Sequence, residues 1–456
     1  MKRIVAGLLL TGLALPAFSQ TADSLMTLAH KLARVGLESG RAYSDLKDLL
    51  KIGPRMTGTA RADSAVEWAV RKMRSYEFDY VWKQPVEVPR WSRGRKEVAV
   101  AKVHWKTDTL SVTALGYSER TPGGGVEDTV VMVRSLAELD SIGRGVESKI
   151  VFFNGEFDKG LINTFQAYGQ AAQQRGRGPA LASYYGAVGA IVRSMTAVSD
   201  DNPRTGMTQF PDSIAPIPCV AVSPVDADRL ASKFGGEKPV RLMIDLRSKK
   251  DDPVISNNVI AELTGTDFPT EIILVGAHLD SWDLSVGAHD NGAGSVQVIE
   301  VLRLLRQIEY KPKHSIRGVL FMAEEMGGIG GIEYARMATW NNEKHIAAIE
   351  SDRGGFTPRG FSIQADEAKV QKYQSWAKYF EHIGADKLVK GYGGVDIGPL
   401  GDTGTQLFGF LPDSHRYFDY HHSAMDTIDN VNERELELGA VAMAIFVILL
   451  DQYGVQ

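Results

Sequence analysis

The C-terminal half of the chain alternates short apolar strands with helices, and this alternation limits the possible folds more than any other feature. From about residue 256, the strand EIILVGAHLD precedes a helix at 295–308, and IRGVLFMAEE precedes a helix around 332–339 and the strand IAAIESD. Short apolar strands that alternate with helices are typical of a sheet covered on both faces. We therefore predict an α/β fold for this half.

Two apolar segments need to be distinguished from membrane spans. The first, residues 4–15, follows Lys2 and Arg3 and precedes small residues at positions 17 and 19. Twelve residues fall short of the ~20 that a spanning helix needs, so we predict a signal peptide at 1–19 and an exported protein, periplasmic or secreted. The second segment, AVAMAIFVILL, lies in a predicted helix at about 433–453. We interpret it as a buried core helix, and we expect no membrane span in the mature protein.

The middle of the chain differs from both ends in its predicted secondary structure and in its histidine content. From about residue 123 it consists of short strands with one helix around 166–185, and it contains no histidine between His104 and His278. We interpret most of it as an inserted, non-catalytic domain. The predicted organisation is a signal peptide at 1–19, an N-terminal part of the catalytic domain at 20–117, an inserted domain at 118–250 and the main catalytic part at 251–456.

Composition excludes some partners and some chemistry. The net charge is −5 without clustered cationic segments, which argues against nucleic-acid binding. Cys219 is the single cysteine, so no intrachain disulfide can form despite the predicted export.

Residues of the types that commonly bind metals follow several of the predicted strands. These residues are His278 and Asp280, Asp290, Glu324 and Glu325, Asp352, and His421 and His422. Sheets of α/β proteins build their sites at the carboxyl ends of strands. Five such side chains can hold two divalent ions if one carboxylate bridges them. The negative charge of this region thus predicts a metal centre.

The motifs resemble those of the co-catalytic zinc exopeptidases. They are HLDSWD (278–283), GAHDNGAG (287–294), AEE (323–325), ESD (350–352) and HHSAMDT (421–427), and GPRMTG, VEVPRW, IPCVAVS and the last helix follow in matching order. The resemblance covers nearly the whole mature chain. It implies a mixed sheet flanked by helices and an inserted β-rich protease-associated domain that carries no catalytic residue. It also makes a homodimer one of the assemblies to consider.

The same resemblance implies specific roles for the strand-end residues. One zinc ion would bind His278 and Asp352, a second would bind Glu325 and His422, and Asp290 would bridge them. Glu324 would be the general base. In the last motif the family's ligand is the histidine four residues before Asp-Thr, which selects His422 over His421. Mn²⁺ and Co²⁺ suit the same ligands.

Neighbouring residues have less specific expectations. Asp280 is expected to accept the second N–H of the His278 imidazole, or else to cap a turn. His289, beside the bridging Asp290, is expected at the solvent-facing rim of the site because the ligand set is complete without it.

Four residues are candidates for substrate contact. Arg416, Tyr417 and Tyr420 precede the ligand His422 and could contact substrate or an oxyanion, or simply pack in the loop. Arg353 either clamps a substrate carboxylate or pairs with Asp352 or a neighbouring carboxylate to orient the ligand loop, and the second interpretation is favoured.

These observations predict an exported zinc exopeptidase that hydrolyses dipeptides or short peptides, with Glu324 as general base. The alternatives are a glutaminyl-cyclase-like acyl transferase with one zinc ion and a catalytically inactive binding protein. Carboxypeptidase, aminopeptidase and dipeptidase activities stay open, because the sequence does not show which peptide terminus is held.

Overall fold

The computed structural model describes residues 17–456, with side chains from Asp23 onward. The predicted signal peptide lies outside the described residues, except for positions 17–19 at the start of the first helix.

The described residues form twelve α-helices. They are α1 (Ala17–Ser39), α2 (Ala42–Leu50), α3 (Ala60–Ser75), α4 (Leu136–Ile142), α5 (Thr164–Gly176), α6 (Gly178–Tyr184), α7 (Pro224–Ala231), α8 (Gly294–Gln307), α9 (Ile329–Trp340), α10 (Glu367–Gln374), α11 (Tyr417–Tyr420) and α12 (Glu433–Tyr453).

Sixteen strands complete this described part of the chain. They are β1 (Tyr80–Ser92), β2 (Glu97–Val103), β3 (Lys106–Leu110), β4 (Val112–Ala114), β5 (Val126–Val133), β6 (Ile150–Phe153), β7 (Gly189–Arg193), β8 (Cys219–Val222), β9 (Arg241–Leu246), β10 (Lys249–Leu263), β11 (Phe268–His278), β12 (His314–Phe321), β13 (Lys344–Glu350), β14 (Pro358–Ile363), β15 (Lys387–Lys390) and β16 (Gln406–Pro412).

The first sheet is mixed and has the order β1-β10-β12-β11-β13-β16-β14-β15. Its central strands β12, β11, β13 and β16 are parallel, β10 pairs antiparallel with β1 and β12, and β14 pairs antiparallel with β16 and parallel with β15. The edge position of β1 agrees with its two prolines, Pro85 and Pro89, because proline cannot donate to a strand on both sides. The mixed α/β fold expected from the sequence is confirmed.

Helices cover both faces of this sheet. Alternate residues of β11 point to opposite sides: Ile273 and Val275 join the core under α8 and α12, whereas Leu274 joins a second core under α9. Helix α12 is long and apolar enough to cross a membrane by length and composition, yet 83% of its most apolar stretch is buried inside the protein. Its burial is that expected of a core helix.

The second sheet contains the strands of the predicted insertion, in the order β3-β2-β9-β5-β6-β7-β8-β4. Strands β2, β3 and β4 precede residue 118, where the insertion was expected to start, so this sheet begins earlier than that boundary. The single helix expected at 166–185 is two helices, α5 and α6. The break falls before Gly178 and Pro179, since proline lacks the N–H that would continue a helix.

Candidate active site

The strand-end residues meet at one edge of the first sheet. His278 is the last residue of β11, Glu324 and Glu325 follow β12, and Asp352 follows β13. Because these strands are adjacent and parallel, their carboxyl ends lie side by side. The loop after β16 adds His422 at the same edge.

Asp290 lies between two pairs of these residues. On one side, His278 Nε2 is 3.1 Å from Asp352 Oδ1 and 3.3 Å from Asp290 Oδ1. On the other side, His422 Nε2 is 3.0 Å from Glu325 Oε2 and 3.2 Å from Asp290 Oδ2. The two oxygens of Asp290 therefore face two different groups, each with one histidine and one further carboxylate.

This arrangement fits divalent metal ions. Asp290 Oδ2 and Glu325 Oε1 are buried oxygens without a hydrogen-bond partner in the described part of the chain. A buried carboxylate oxygen without a donor is costly, and a cation removes that cost. The ligand atoms of His278, Asp290 and Asp352 also lie within 4.8 Å of one another, close enough to share one ion.

Main-chain carbonyl groups orient both histidines. His278 Nδ1 lies 3.1 Å from the main-chain oxygen of Asp280, and His422 Nδ1 lies 3.2 Å from that of Thr205. A carbonyl oxygen can only accept, so each Nδ1 carries a proton, and the neutral form of each imidazole has its lone pair on Nε2. This is the tautomer that a metal at Nε2 requires.

The Asp280 carboxylate has a different position from the one expected. Its Oδ1 is 3.5 Å from His278 Nδ1, farther than the main-chain oxygen of the same residue. The carboxylate instead accepts the hydroxyl of Thr57 at 2.6 Å and the main-chain N–H of Glu324 at 3.2 Å. Asp280 thus links the segments that precede α3 and follow β12.

Asp426 holds the loop that carries the bridging carboxylate. Its Oδ1 accepts the main-chain N–H of His289 at 2.7 Å, and its Oδ2 accepts that of Asp290 at 3.0 Å. At the start of this loop, Gly287 has φ 61°, and a Cβ there would lie 2.4 Å from Ser281 Cβ and 2.6 Å from the Asp290 oxygen. The loop therefore requires glycine at this position.

Arg55 anchors the segment between His278 and this glycine. It is fully buried and donates to the main-chain oxygens of Leu279 at 2.8 Å and Gly287 at 3.0 Å, and also to that of Val286. A guanidinium with several fixed donors suits this role. Arg55 lies in the GPRMTG segment.

The adjacent residues Glu324 and Glu325 diverge. Glu325 faces His422, whereas Glu324 lines a cavity of about 250 Å³ and its carboxylate forms no hydrogen bond or ion pair with residues 23–456. Burial raises the pKa of Glu324 well above its ordinary value. Glu324 is therefore placed to exchange a proton with a molecule in the cavity.

The adjacent residues His421 and His422 also differ. Burial lowers the pKa of both, but Glu325 and Asp290 outweigh burial at His422 and raise its pKa well above the ordinary value. His421 Nε2 is 3.7 Å from Asp290 Oδ2, and its ring stacks on that of His422 with centroids 3.6 Å apart. His421 stays close enough to Asp290 to be an alternative ligand.

His289 does not lie at a solvent-facing rim. It is 1% exposed, and its ring stacks on Phe356, with centroids 4.1 Å apart, and on Tyr420, with centroids 5.4 Å apart. Its Nδ1 accepts the N–H of Gly355, and its Nε2 donates to the main-chain oxygen of Asn430. Burial lowers its pKa to about 4, so the imidazole is neutral and structural.

The three candidates before His422, which are Arg416, Tyr417 and Tyr420, occupy different positions relative to the cavity. Tyr417 lines the cavity, and its hydroxyl has no hydrogen-bond partner in the described residues. Arg416 is exposed over the ring of Tyr420, with its guanidinium carbon 5.1 Å from the ring centroid. Of the three, only Tyr417 lines the cavity.

Arg353 is partly buried beside Asp352 but forms no ion pair with it. Its guanidinium carbon lies 4.9 Å from the ring centroid of Phe165 on α5. It has no hydrogen bond or ion pair to any described side chain or main-chain group. The expected pairing with Asp352 is absent from this part of the chain.

The region predicted to be an insertion reaches the cavity through residues that sequence reasoning missed. Phe165, Tyr168 and Arg175 of α5 line it, and Thr205 holds His422 through both its carbonyl and its N–H. These residues are more than 200 positions from His422 and belong to no local motif. The absence of histidine indicated only that the insertion supplies no imidazole ligand.

Comparison with known proteins agrees with this geometry. The model for peptidase family M28 matches residues 258–447. A solved peptidase M28 precursor from Shewanella amazonensis SB2B is 34% identical, with a TM-score of 0.88 over 94% of this chain and 97% of that chain. This chain belongs to peptidase family M28.

Other members of family M28 and its structural neighbours extend the match. Carboxypeptidase Q from Bos taurus is 29% identical over 411 residues, which is 90% of this chain and 85% of that protein. A zinc aminopeptidase from Bacillus subtilis has the same fold, with a TM-score of 0.65 at 20% identity over 90% of this chain and 94% of its own.

Proposed function

We propose that this chain, a metallo-exopeptidase of family M28, is exported and hydrolyses dipeptides or short peptides with two zinc ions. The observation that carries the proposal is the position of Asp290 between the His278–Asp352 and His422–Glu325 pairs. The cavity of about 250 Å³ favours small substrates, since drug-sized ligands occupy roughly 300–1,000 Å³. Export rests on the signal-peptide pattern of residues 1–19.

The proposed mechanism assigns a step to each free polar group in the cavity. The zinc ions, when bound, supply Lewis-acid polarisation and charge stabilisation. Glu324 takes a proton from the attacking water and returns it to the leaving amine, a role that requires a carboxylate without a fixed partner. The hydroxyl of Tyr417 donates to the oxygen on which negative charge develops.

Two alternatives are weaker on the same observations. A glutaminyl-cyclase-like acyl transferase with one zinc ion would not need two histidine–carboxylate pairs on opposite oxygens of Asp290. An inactive binding protein would not need the unpaired carboxylate of Glu324. The free amine and the free carboxylate of the peptide stay open as the recognised end.

Glu324→Gln tests the proposal. We expect at least about a 10²-fold loss of kcat on a dipeptide panel, because general base catalysis contributes that much, with metal content unchanged. The matched variant is Glu325→Gln, at the adjacent position, which should lose metal as well as activity. Glu324→Gln activity within a few-fold of the parent, or hydrolysis of no peptide by the parent, would contradict the proposal.

A further inference from the structure

We propose that Arg353, supported on Phe165 of the insertion, binds the free carboxylate of the peptide substrate. The proposal rests on the proposed peptidase function and deepens it, because it names the peptide end that is recognised. It also gives the insertion a part in substrate selection.

The first argument is that the guanidinium of Arg353 has no hydrogen-bond partner in the protein. Its five N–H donors have no acceptor within residues 23–456, and the side chain is partly exposed, so a ligand can reach it. The guanidinium carbon lies 4.9 Å from the ring centroid of Phe165. Stacking on an aromatic face orients the guanidinium plane but leaves its edge free to donate.

The second argument is position. Arg353 directly follows Asp352, and Asp352 and Phe165 both line the cavity. The Phe165 ring also stacks on Tyr417, with centroids 5.2 Å apart and planes at 19°. Phe165 therefore carries Arg353 and contacts the residue proposed to donate to the oxyanion.

The third argument is charge. Of the acidic side chains that line the cavity, Glu324 is the one to which the proposed function assigns no metal ion, and it would repel a substrate carboxylate that had no cation of its own. Arg175 is the arginine that lines the cavity, but its two terminal nitrogens already donate to the Thr205 carbonyl at 3.1 Å and to the Tyr168 hydroxyl at 2.7 Å, which leaves its Nε without a partner in residues 23–456.

Arg353 thus has the free donors that two parallel hydrogen bonds to a carboxylate require. The same geometry argues against a structural role, since an arginine that oriented the ligand loop would pair with Asp352 or a neighbouring carboxylate. The charges of Asp352 and Glu350 oppose the lowering of the Arg353 pKa by burial, but within residues 23–456 the guanidinium forms no ion pair with either.

The test compares a dipeptide with its C-terminal amide in the metal-loaded protein. Arg353→Ala should lower kcat/KM on the free dipeptide by about 10- to 100-fold, as expected for loss of a charge-assisted pair, and by less than about two-fold on the amide. Arg353→Lys should give a kcat/KM on the free dipeptide between those of the parent and Arg353→Ala. Lysine keeps the positive charge but lacks the planar guanidinium that donates two parallel hydrogen bonds. Arg359→Ala, which removes an exposed arginine outside the cavity, is the matched control and should leave both values unchanged.

Binding provides a second readout that is independent of turnover. In a Glu324→Gln background, calorimetry should show Arg353→Ala raising the Kd of the free dipeptide and leaving that of the amide unchanged. Phe165→Leu should shift the free dipeptide in the same direction by a smaller factor.

Equal losses on both substrates, a loss of metal from Arg353→Ala, or a parent enzyme that cleaves the amide as well as the free dipeptide would overturn the proposal. In each of these cases peptide hydrolysis by the parent still supports the proposed function. A parent that cleaves neither substrate would overturn both.

Discussion

At the scale of single residues, the site separates identical neighbours. Glu324 and Glu325 have the same chemistry, as do His421 and His422, yet Glu325 faces His422 whereas Glu324 faces the cavity, and His422 lies closer to Asp290 than His421 does. Ala323, directly before the glutamate pair, and His422 have φ of 66° and 57°, in the left-handed region that few non-glycine residues adopt. Residue type alone cannot reveal such a turn.

The histidine pair yields a direct prediction. His422→Ala should lose metal and at least about 10²-fold in activity, because His422 Nε2 lies at 3.0 and 3.2 Å from two predicted ligands. His421→Ala should keep its metal and most of its activity, since its Nε2 is 3.7 Å from Asp290. Metal analysis and peptide hydrolysis check both variants, and the reverse ranking would make His421 the ligand.

At the scale of elements, the sequence predicted what local patterns determine. Helix α12 has the expected bounds, and α8 is displaced by one residue at each end. The strand ends carry the residues expected of them. Gly178 and Pro179 mark the break between α5 and α6, which the sequence analysis treated as one helix.

What the sequence could not predict are contacts between distant segments. The Thr205–His422 pair and the Arg353–Phe165 stack join positions that share no motif, and their formation depends on how the two sheets pack. The same holds for His289, which the sequence analysis places at a solvent-facing rim and the structure packs against the rings of Phe356 and Tyr420.

Asp426 connects the loop after His422 with the loop that carries Asp290, and this contact gives a prediction at the scale of elements. Asp426→Asn should lower the free energy of unfolding by about 1–3 kcal/mol, because an amide offers one acceptor to two buried N–H groups and leaves the other unsatisfied. Denaturant unfolding measures the change. Asp429→Asn, three positions later and exposed, is the control and should unfold like the parent.

At the scale of the whole molecule, the site is shared between the two sheets. The first sheet supplies the predicted ligands, and α5 and Thr205 of the second sheet close the cavity and hold His422. The buried carboxylates at this junction repel one another when no cation is bound, so metal should stabilise the packing of the two sheets as well as support catalysis.

Removal of metal should therefore lower the melting temperature. Binding at 100 times Kd stabilises by about 2.7 kcal/mol per ion, and two ions in a chain of this length correspond to a shift of about 5 °C. A chelated sample, titrated with zinc and followed by calorimetry, should regain its full melting temperature at two equivalents of zinc. The reason is that Asp290 presents one oxygen to His278 and the other to His422. His422→Ala is the control, because it retains the His278–Asp352 group and should recover only the part of the shift that belongs to one ion. Full recovery of the parent at one equivalent would leave the His422–Glu325 group without a role in binding metal, and Asp290 would then be an ordinary ligand and not a bridge.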